Sequence, residues 1–227
     1  MFQDQYFYNK SLRKLVVGFG SLFSNIYVEH PNQNDLVNTQ IKVPITYAPQ
    51  EKFIRRLLEP SSIDGNTRIE NQLPRLSYIM SSVIVDNARR MNKLNSLEAP
   101  NSVDGVCLST GSSIHESIPV NVGFSLFIYT RHIDDTLQIF EQIVPYFSPD
   151  HIVSIDMNDV QKDVRIPITM LNNSISERFD GDFGGRRINI SSINFMAKSF
   201  IYGKIQTLTK ITNAEVDITI DWLYEHK

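Results

Sequence analysis

Residues 120–150 constrain the fold more than any other stretch of the sequence. Residues 120–130 are dense in Val, Phe, Ile and Tyr, a composition typical of a mostly buried strand. From residue 133 onward, apolar residues recur at three- and four-residue steps, which is the pattern of a helix with one apolar face. A strand followed at once by such a helix predicts that the helix packs back onto a sheet.

The helix predicted after this strand supplies the candidate core residues. Its apolar stripe places Leu137, Phe140 and Val144 against the sheet. Asp134 and Asp135 fall in the first turn, where carboxylates cap free N–H groups and offset the positive end of the helix dipole. A catalytic or metal-binding pair is the weaker interpretation, since adjacent helical positions do not face each other.

Other segments have the patterns of further strands and helices. A helix is expected over residues 11–23, where Gly18 and Gly20 indicate close approach by a neighbour, and a second over residues 49–58. The polar stretch 172–185 is predicted to be a connection. Strands are expected at residues 26–29, 40–47, 76–86, 152–157, 164–171, 187–201 and 205–223. We therefore expect one α+β domain over residues 1–227, a largely antiparallel sheet with two or three helices packed on one face.

Residues 89–118 differ from the rest of the chain. They are rich in Asn, Ser, Gly and Pro and lack clear periodicity. Two interpretations stay open for this segment: an extended hairpin arm, with a short strand near residue 106, or a loop that a neighbouring subunit orders.

Composition excludes several classes of protein. The net charge of −3 provides no general basic field for nucleic acid. A single cysteine, Cys107, excludes an intramolecular disulfide and is typical of a reducing compartment. The apolar run at residues 15–23 follows two basic residues like a signal peptide, but no cleavage site follows it. No run approaches the ~20 apolar residues of a membrane helix, so we expect a soluble protein without membrane contact.

No motif predicts catalysis, a metal site or a cofactor. The histidines lack ligand spacing, and residues 180–185 lack the downstream glutamate of a calcium loop. Arginines occur as three adjacent pairs: Arg55 with Arg56, Arg89 with Arg90, and Arg186 with Arg187. The first and the third are candidate contacts between chains. Contacts between chains or with solvent explain such short pairs better than phosphate binding does.

Residues 129–150, YTRHIDDTLQIFEQIVPYFSPD, closely resemble the matching segment of the tail sheath stabiliser and completion proteins of T-even-like contractile-tailed bacteriophages. These proteins are tail terminators. Further matches occur in the same order along the chain, at residues 6–9 (YFYN), 22–26 (LFSNI), 43–48 (VPITYA), 73–75 (LPR) and 186–188 (RRI). Together they span about residues 6–202.

The resemblance implies a hexameric tail terminator ring that caps and stabilises the tail sheath and tail tube. It also implies a docking surface for the head and neck during phage assembly. The implied partners are the other five copies of a homo-hexamer, the tail sheath protein, the tail tube or tube terminator protein, and the neck or connector proteins. DNA would cross the lumen without specific binding. The implied place is the tail–neck junction of the virion, with the host cytoplasm during assembly. Another neck or head–tail connector ring protein stays open as an alternative, and a nucleic-acid-binding protein is less favoured.

Overall fold

The computed structural model describes residues 6–30, 39–51, 73–92, 96–103, 106–115, 117–157, 162–179 and 187–209. The strands are β1 Tyr27–His30, β2 Thr39–Lys42, β3 Ile45–Tyr47, β4 Arg75–Val85, β5 Ser96–Val103, β6 Val106–His115, β7 Ile118–Thr130, β8 His151–Ile155, β9 Val164–Phe179, β10 Arg187–Ile201 and β11 Ile205–Thr209. The α-helices are α1 Ser11–Leu22 and α2 Ile133–Ile143, and a 3₁₀ helix, Val144–Phe147, follows α2. The helix predicted over residues 49–58 falls mostly outside the described residues.

The body of the protein is a six-stranded sheet in the order β3-β4-β7-β10-β9-β8. Its central pair, β7 with β10, is antiparallel over the whole length from Ile118–Ile201 to Thr130–Asn189. The short edge strand β3 runs parallel to β4, pairing Ile45 with Leu76. The α+β prediction is therefore confirmed, but the sheet is mixed rather than purely antiparallel.

One face of this sheet carries the core. Along β7 the alternate residues Val120, Val122, Phe124, Leu126 and Ile128 are fully buried, as the two-residue period of a strand requires. Both α-helices bury side chains in the same core cluster.

Aromatic side chains join α1 and the end of α2 to this face. Phe19 of α1 stacks on Phe124 of β7, with ring centroids 4.3 Å apart. Phe23 and Phe147 each contact Phe195 of β10, with ring centroids 5.7 Å and 4.8 Å away. The aromatic cluster fixes where the C-terminal ends of the two helical segments meet.

The two glycines of α1 lie where neighbours approach the helix closely, as predicted. A Cβ atom on Gly20 would lie 2.3 Å from the Tyr78 hydroxyl oxygen, and one on Gly18 would lie 2.8 Å from Cδ1 of Ile155. Both distances are shorter than real Cβ contacts, so a side chain at either position would force Tyr78 or Ile155 to shift, and glycine lets α1 lie close to the sheet.

The prediction that Leu137 belongs to the core is wrong. Its side chain is 46% exposed, whereas the buried residues of α2 are Asp135, Thr136, Ile139 and Ile143. Two polar contacts turn the helix to this orientation. Asp135 lies against His30 of β1, and the Thr136 hydroxyl is 2.6 Å from that of Thr130.

The other two predicted core residues of this helix are only partly buried. Phe140 is half-buried and packs against the core cluster. Val144 is half-buried at the start of the 3₁₀ helix. The apolar stripe of the sequence is therefore wider than the face that meets the core.

The prediction of a connection over residues 172–185 is wrong for residues 172–179, which extend β9. Polar side chains stabilise this half of the strand across the sheet. The Asn194 side chain donates to Oδ1 of Asn172 at 2.8 Å, and the Ser176 hydroxyl donates to the Ile190 carbonyl at 2.9 Å. Propensity alone disfavours Asn in strands, and these tertiary contacts override it.

A three-stranded sheet, in the order β11-β6-β5, repeats the strand order of the body. The corresponding strands of the body are β10, β7 and β4. In the sequence, β11 follows β10, β6 precedes β7, and β5 follows β4. Within residues 89–118, β5 and β6 pair as an antiparallel hairpin. We call this three-stranded sheet the arm.

Candidate functional site

Neither aspartate of the predicted helix cap occupies the N-cap position of α2. That position belongs to His132, which is extended and makes no side-chain capping hydrogen bond. Asp134 is exposed in the first turn, where its carboxylate lies near the positive end of the helix dipole. Asp135 is buried, and its Oδ1 lies 3.0 Å from His30 Nε2, although the ring N–H is not aligned for a hydrogen bond. Asp135 therefore connects α2 to β1.

The structure does not describe the side chains of the arginines that the sequence suggests as contacts between chains. Arg55, Arg56 and Arg186 lie outside the described residues, and the backbone of Arg187 begins β10. Their role stays a prediction.

A pair of glutamines on α2 binds the backbone of β1, a feature that sequence reasoning missed. The Gln142 amide donates to the Tyr27 carbonyl at 2.6 Å and accepts from the Tyr27 N–H at 3.3 Å. The Gln138 amide donates to the Glu29 carbonyl at 3.1 Å and accepts from its N–H at 2.9 Å. Because Gln138 and Gln142 are one helical turn apart, they meet alternate residues of the strand.

We call Gln138 and Gln142 the glutamine pair. It occupies the strand edge of β1 opposite β2, and so covers groups that would otherwise be open to another strand. The signal in the sequence was two glutamines at i and i+4 on the polar side of a helix. That signal is weak without knowledge that a strand lies beside the helix.

An exposed aromatic segment, residues 6–8, precedes α1. Tyr6, Phe7 and Tyr8 are 91%, 53% and 54% exposed. The segment is tied to the end of β10, because the Asn9 side chain donates to the carbonyls of Tyr202 and Gly203 at 3.0 and 2.8 Å. Asn9 therefore anchors the end of the segment next to α1, while all three aromatic residues remain exposed.

A cleft of about 530 Å³ lies at the opposite end of α1, and we call it the helix-end cleft. Its apolar lining comes from the C-terminal ends of both helical segments. The lining includes Leu22, Phe23, Ile143, Tyr146 and Phe147, together with the carboxylate residue Glu141. A cleft of this size and lining is suited to large apolar side chains.

A third exposed apolar surface lies where the body joins the arm. Val83, Ile84 and Val85 at the end of β4 are exposed, as is Ile118 at the start of β7. Consecutive exposed apolar residues at a strand end are uncommon on a monomer surface and indicate contact with another molecule.

A polar cluster orders the connection beside this surface. Nε of Arg89 donates to Asp86 at 2.7 Å, and its Nη2 donates to Oδ1 of Asn121 at 2.9 Å. The hydrogen bond from Arg89 holds the pKa of the Asp86 carboxyl below its ordinary value. The same guanidinium lies 5.5 Å from the ring centroid of Phe200.

A buried tyrosine lies on the sheet face opposite the helices. The hydroxyl of Tyr129 is 3.1 Å from that of Ser77, and both residues are fully buried. Burial raises the pKa of Tyr129, and the hydrogen bond with Ser77 acts in the opposite direction.

Among the described residues, no group of three or more His, Cys, Asp or Glu side chains could hold a metal ion. In the same part of the chain, no helix has the length and apolar character needed to cross a membrane.

Comparison with known proteins identifies the class. Residues 6–224 match the family described as T4-like virus Myoviridae tail sheath stabiliser. The match covers the body, both helices and the arm, so the chain is a structural protein of the phage tail, and the resemblance found in the sequence is confirmed.

The chain belongs to the T4-like tail sheath stabiliser family. It is 32% identical over 203 residues to the tail completion protein gp15 of Enterobacteria phage T4. The alignment covers 87% of this chain and 72% of that relative. Family membership locates the chain in the tail of the virion.

Proposed function

We propose that six copies of this chain form a tail terminator ring that caps and stabilises the sheath and tube of a contractile tail. The ring has the tail sheath protein and the tail tube or tube terminator protein as partners on one side. It offers a docking surface to the neck or connector proteins of the head on the other. It assembles in the host cytoplasm and resides at the tail–neck junction. It is not an enzyme and uses no cofactor.

The observation that carries this proposal is the family match over residues 6–224, which includes every described element of the fold. The distribution of exposed apolar side chains supports it. The aromatic segment, the helix-end cleft and the end of β4 lie at separate places on the subunit. A closed ring of heterologous contacts needs at least two different surfaces on each copy, and further partners need more.

The nucleic-acid-binding alternative receives less support from the same structure. Arg89, a member of the pair at residues 89–90, is engaged by Asp86 and Asn121. The whole chain carries a net charge of −3. An arginine held by a carboxylate within its own chain contributes little to phosphate binding.

Light scattering with electron microscopy tests the proposal. Six chains of 26.0 kDa give a ring of about 156 kDa, which we expect at high protein concentration. Negative-stain images should show six-fold rings, and the protein should sediment with assembled sheath. A chain that stays monomeric at roughly hundreds of micromolar, with no rings on sheath-bound material, would refute the proposal.

A further inference from the structure

The N-terminal end of α1 combines exposed aromatic rings with cations. Lys10, Arg13 and Lys14 are exposed beside the aromatic segment, and the first turn of α1 contains no acidic residue. Cations at this end of a helix lie near the positive end of its dipole, which disfavours them. Asp156 lies beside them, and the Asp163 N–H donates to its Oδ1 at 2.8 Å. Among the described residues, three cations therefore meet two carboxylates, and the surface retains a positive excess. An arrangement that disfavours the isolated chain points to a partner with acidic and apolar groups.

The helix-end cleft has the complementary chemistry. Its lining is apolar, and the exposed Glu141 stands on its wall. The described residues that line the cleft include neither Lys nor Arg, and His151 is their one other titratable group besides Tyr146. The charged part of the cleft lining is therefore the Glu141 carboxylate, whose sign is opposite to that of the cations beside the aromatic segment.

We propose that the aromatic segment of one copy docks in the helix-end cleft of the next copy. This inference rests on the proposed ring and names two surfaces that would form its repeated contact. The exposed fractions of Tyr6, Phe7 and Tyr8 together amount to about two whole aromatic side chains, which would bury roughly 300–500 Å² on entering a site. That is a large share of the roughly 800 Å² per partner that a stable interface needs. The cations beside the segment would then lie near Glu141.

The segment cannot fill the cleft of its own chain. From the Asn9 anchor, three residues reach at most about 11 Å. The cleft lies beyond the far end of α1, whose 12 residues span about 18 Å. The two surfaces are thus held apart on one rigid helix. Complementary surfaces held apart in this way produce a head-to-tail contact, and such contacts close into rings when the rotation between copies permits.

Mixing two defective variants tests the inference directly. One variant carries Phe7→Ser with Tyr8→Ser and keeps the cleft. The other carries Glu141→Lys with Tyr146→Ser and keeps the aromatic segment. All four residues are exposed, so both variants should fold, which circular dichroism checks. Each alone should stay at 26.0 kDa under conditions where the parent chain assembles. Their mixture should form one contact and stop at a dimer of about 52 kDa, twice the chain mass.

Leu171→Ser provides the matched control, because Leu171 is an exposed apolar residue on β9 away from both surfaces. It should assemble like the parent chain. A second measurement uses Lys10→Cys with Asn25→Cys in a Cys107→Ser background, because these exposed residues lie beside the aromatic segment and in the cleft lining and leave the aromatic residues of the contact in place. A short bismaleimide should then link chains into a ladder of up to six.

The outcomes separate this inference from the proposed function. If the parent and the aromatic-segment variant both form rings, the inference is overturned and the ring stands. If that variant forms rings but loses sheath binding, the aromatic segment contacts the sheath protein instead, and the inference is again overturned. A mixture that stays monomeric also overturns it. A parent chain that never assembles overturns the ring and the inference together.

Discussion

Replacing Gln142 by glutamate tests whether the glutamine pair holds β1 against α2. Glutamate keeps the acceptor oxygen and the length of the side chain but loses the two donor hydrogens of the amide. The hydrogen bond to the Tyr27 carbonyl, 2.6 Å in the parent, is then lost. A carboxylate oxygen would instead face that carbonyl, and the Gln138 carbonyl at 3.1 Å would also lose its donor.

The expected loss of unfolding free energy follows from these contacts. One net hydrogen bond is worth about 0.5–1.5 kcal/mol. Water reaches this exposed site and compensates in part, while repulsion between the oxygen atoms adds to the loss. We therefore expect Gln142→Glu to cost about 1–2 kcal/mol. The double variant with Gln138→Glu should cost more and should release β1, because both residues hold the same strand.

The measurement is urea unfolding of the monomer at low concentration, combined with hydrogen exchange at the amides of Tyr27 and Glu29. Glu141→Gln is the matched control, since it exchanges the same two chemical groups on the neighbouring exposed residue. It should change stability by less than about 0.5 kcal/mol. A loss below about 0.3 kcal/mol for Gln142→Glu, with unchanged exchange at both amides, would show that the glutamine pair contributes nothing.

Three further predictions address the core and the lumen. Gly20→Ala should cost about 1–3 kcal/mol in urea unfolding because its Cβ would overlap Tyr78, whereas Gly203→Ala, with nothing within 4 Å, should show no overpacking penalty. Ile139→Ala should cost about 2–5 kcal/mol and Leu137→Ala less than about 1 kcal/mol, and the reverse order would contradict the observed rotation of α2. Six copies at −3 each give a ring near −18, so fluorescence anisotropy should detect no DNA binding at physiological ionic strength. A dissociation constant below about 1 µM would instead support the nucleic-acid-binding alternative.

The spacing of apolar residues in the sequence predicted those elements that bury one face and expose the other. The expected limits of β10, residues 187–201, match the structure, and the predicted helix at residues 11–23 is α1 with one residue more. In both segments the apolar residues recur with the period expected when one face of the element is buried. The two glycines of α1 were informative because glycine inside a helix has a cost that only close packing explains.

Elements that depend on distant partners could not be predicted in this way. The second half of β9 has polar residues, and its pairing relies on Asn194 and Ser192 from another strand. The parallel pairing of β3 with β4 depends on how the chain returns to the sheet edge. The glutamine pair likewise needs β1 beside α2. None of these partners is visible within a window of ten residues.

The error at Leu137 has a physical explanation that bears on function. Periodicity records which positions are apolar, but it does not distinguish a core from another molecule. Ile133 and Leu137 belong to the apolar stripe of α2, yet both are exposed, because Asp135 and Thr136 turn the helix toward β1 and Thr130. In a subunit that assembles, such residues are the expected remainder after the core has been filled. The stripe of α2 therefore includes positions that pack within the chain and positions that stay exposed, and only the structure separates the two.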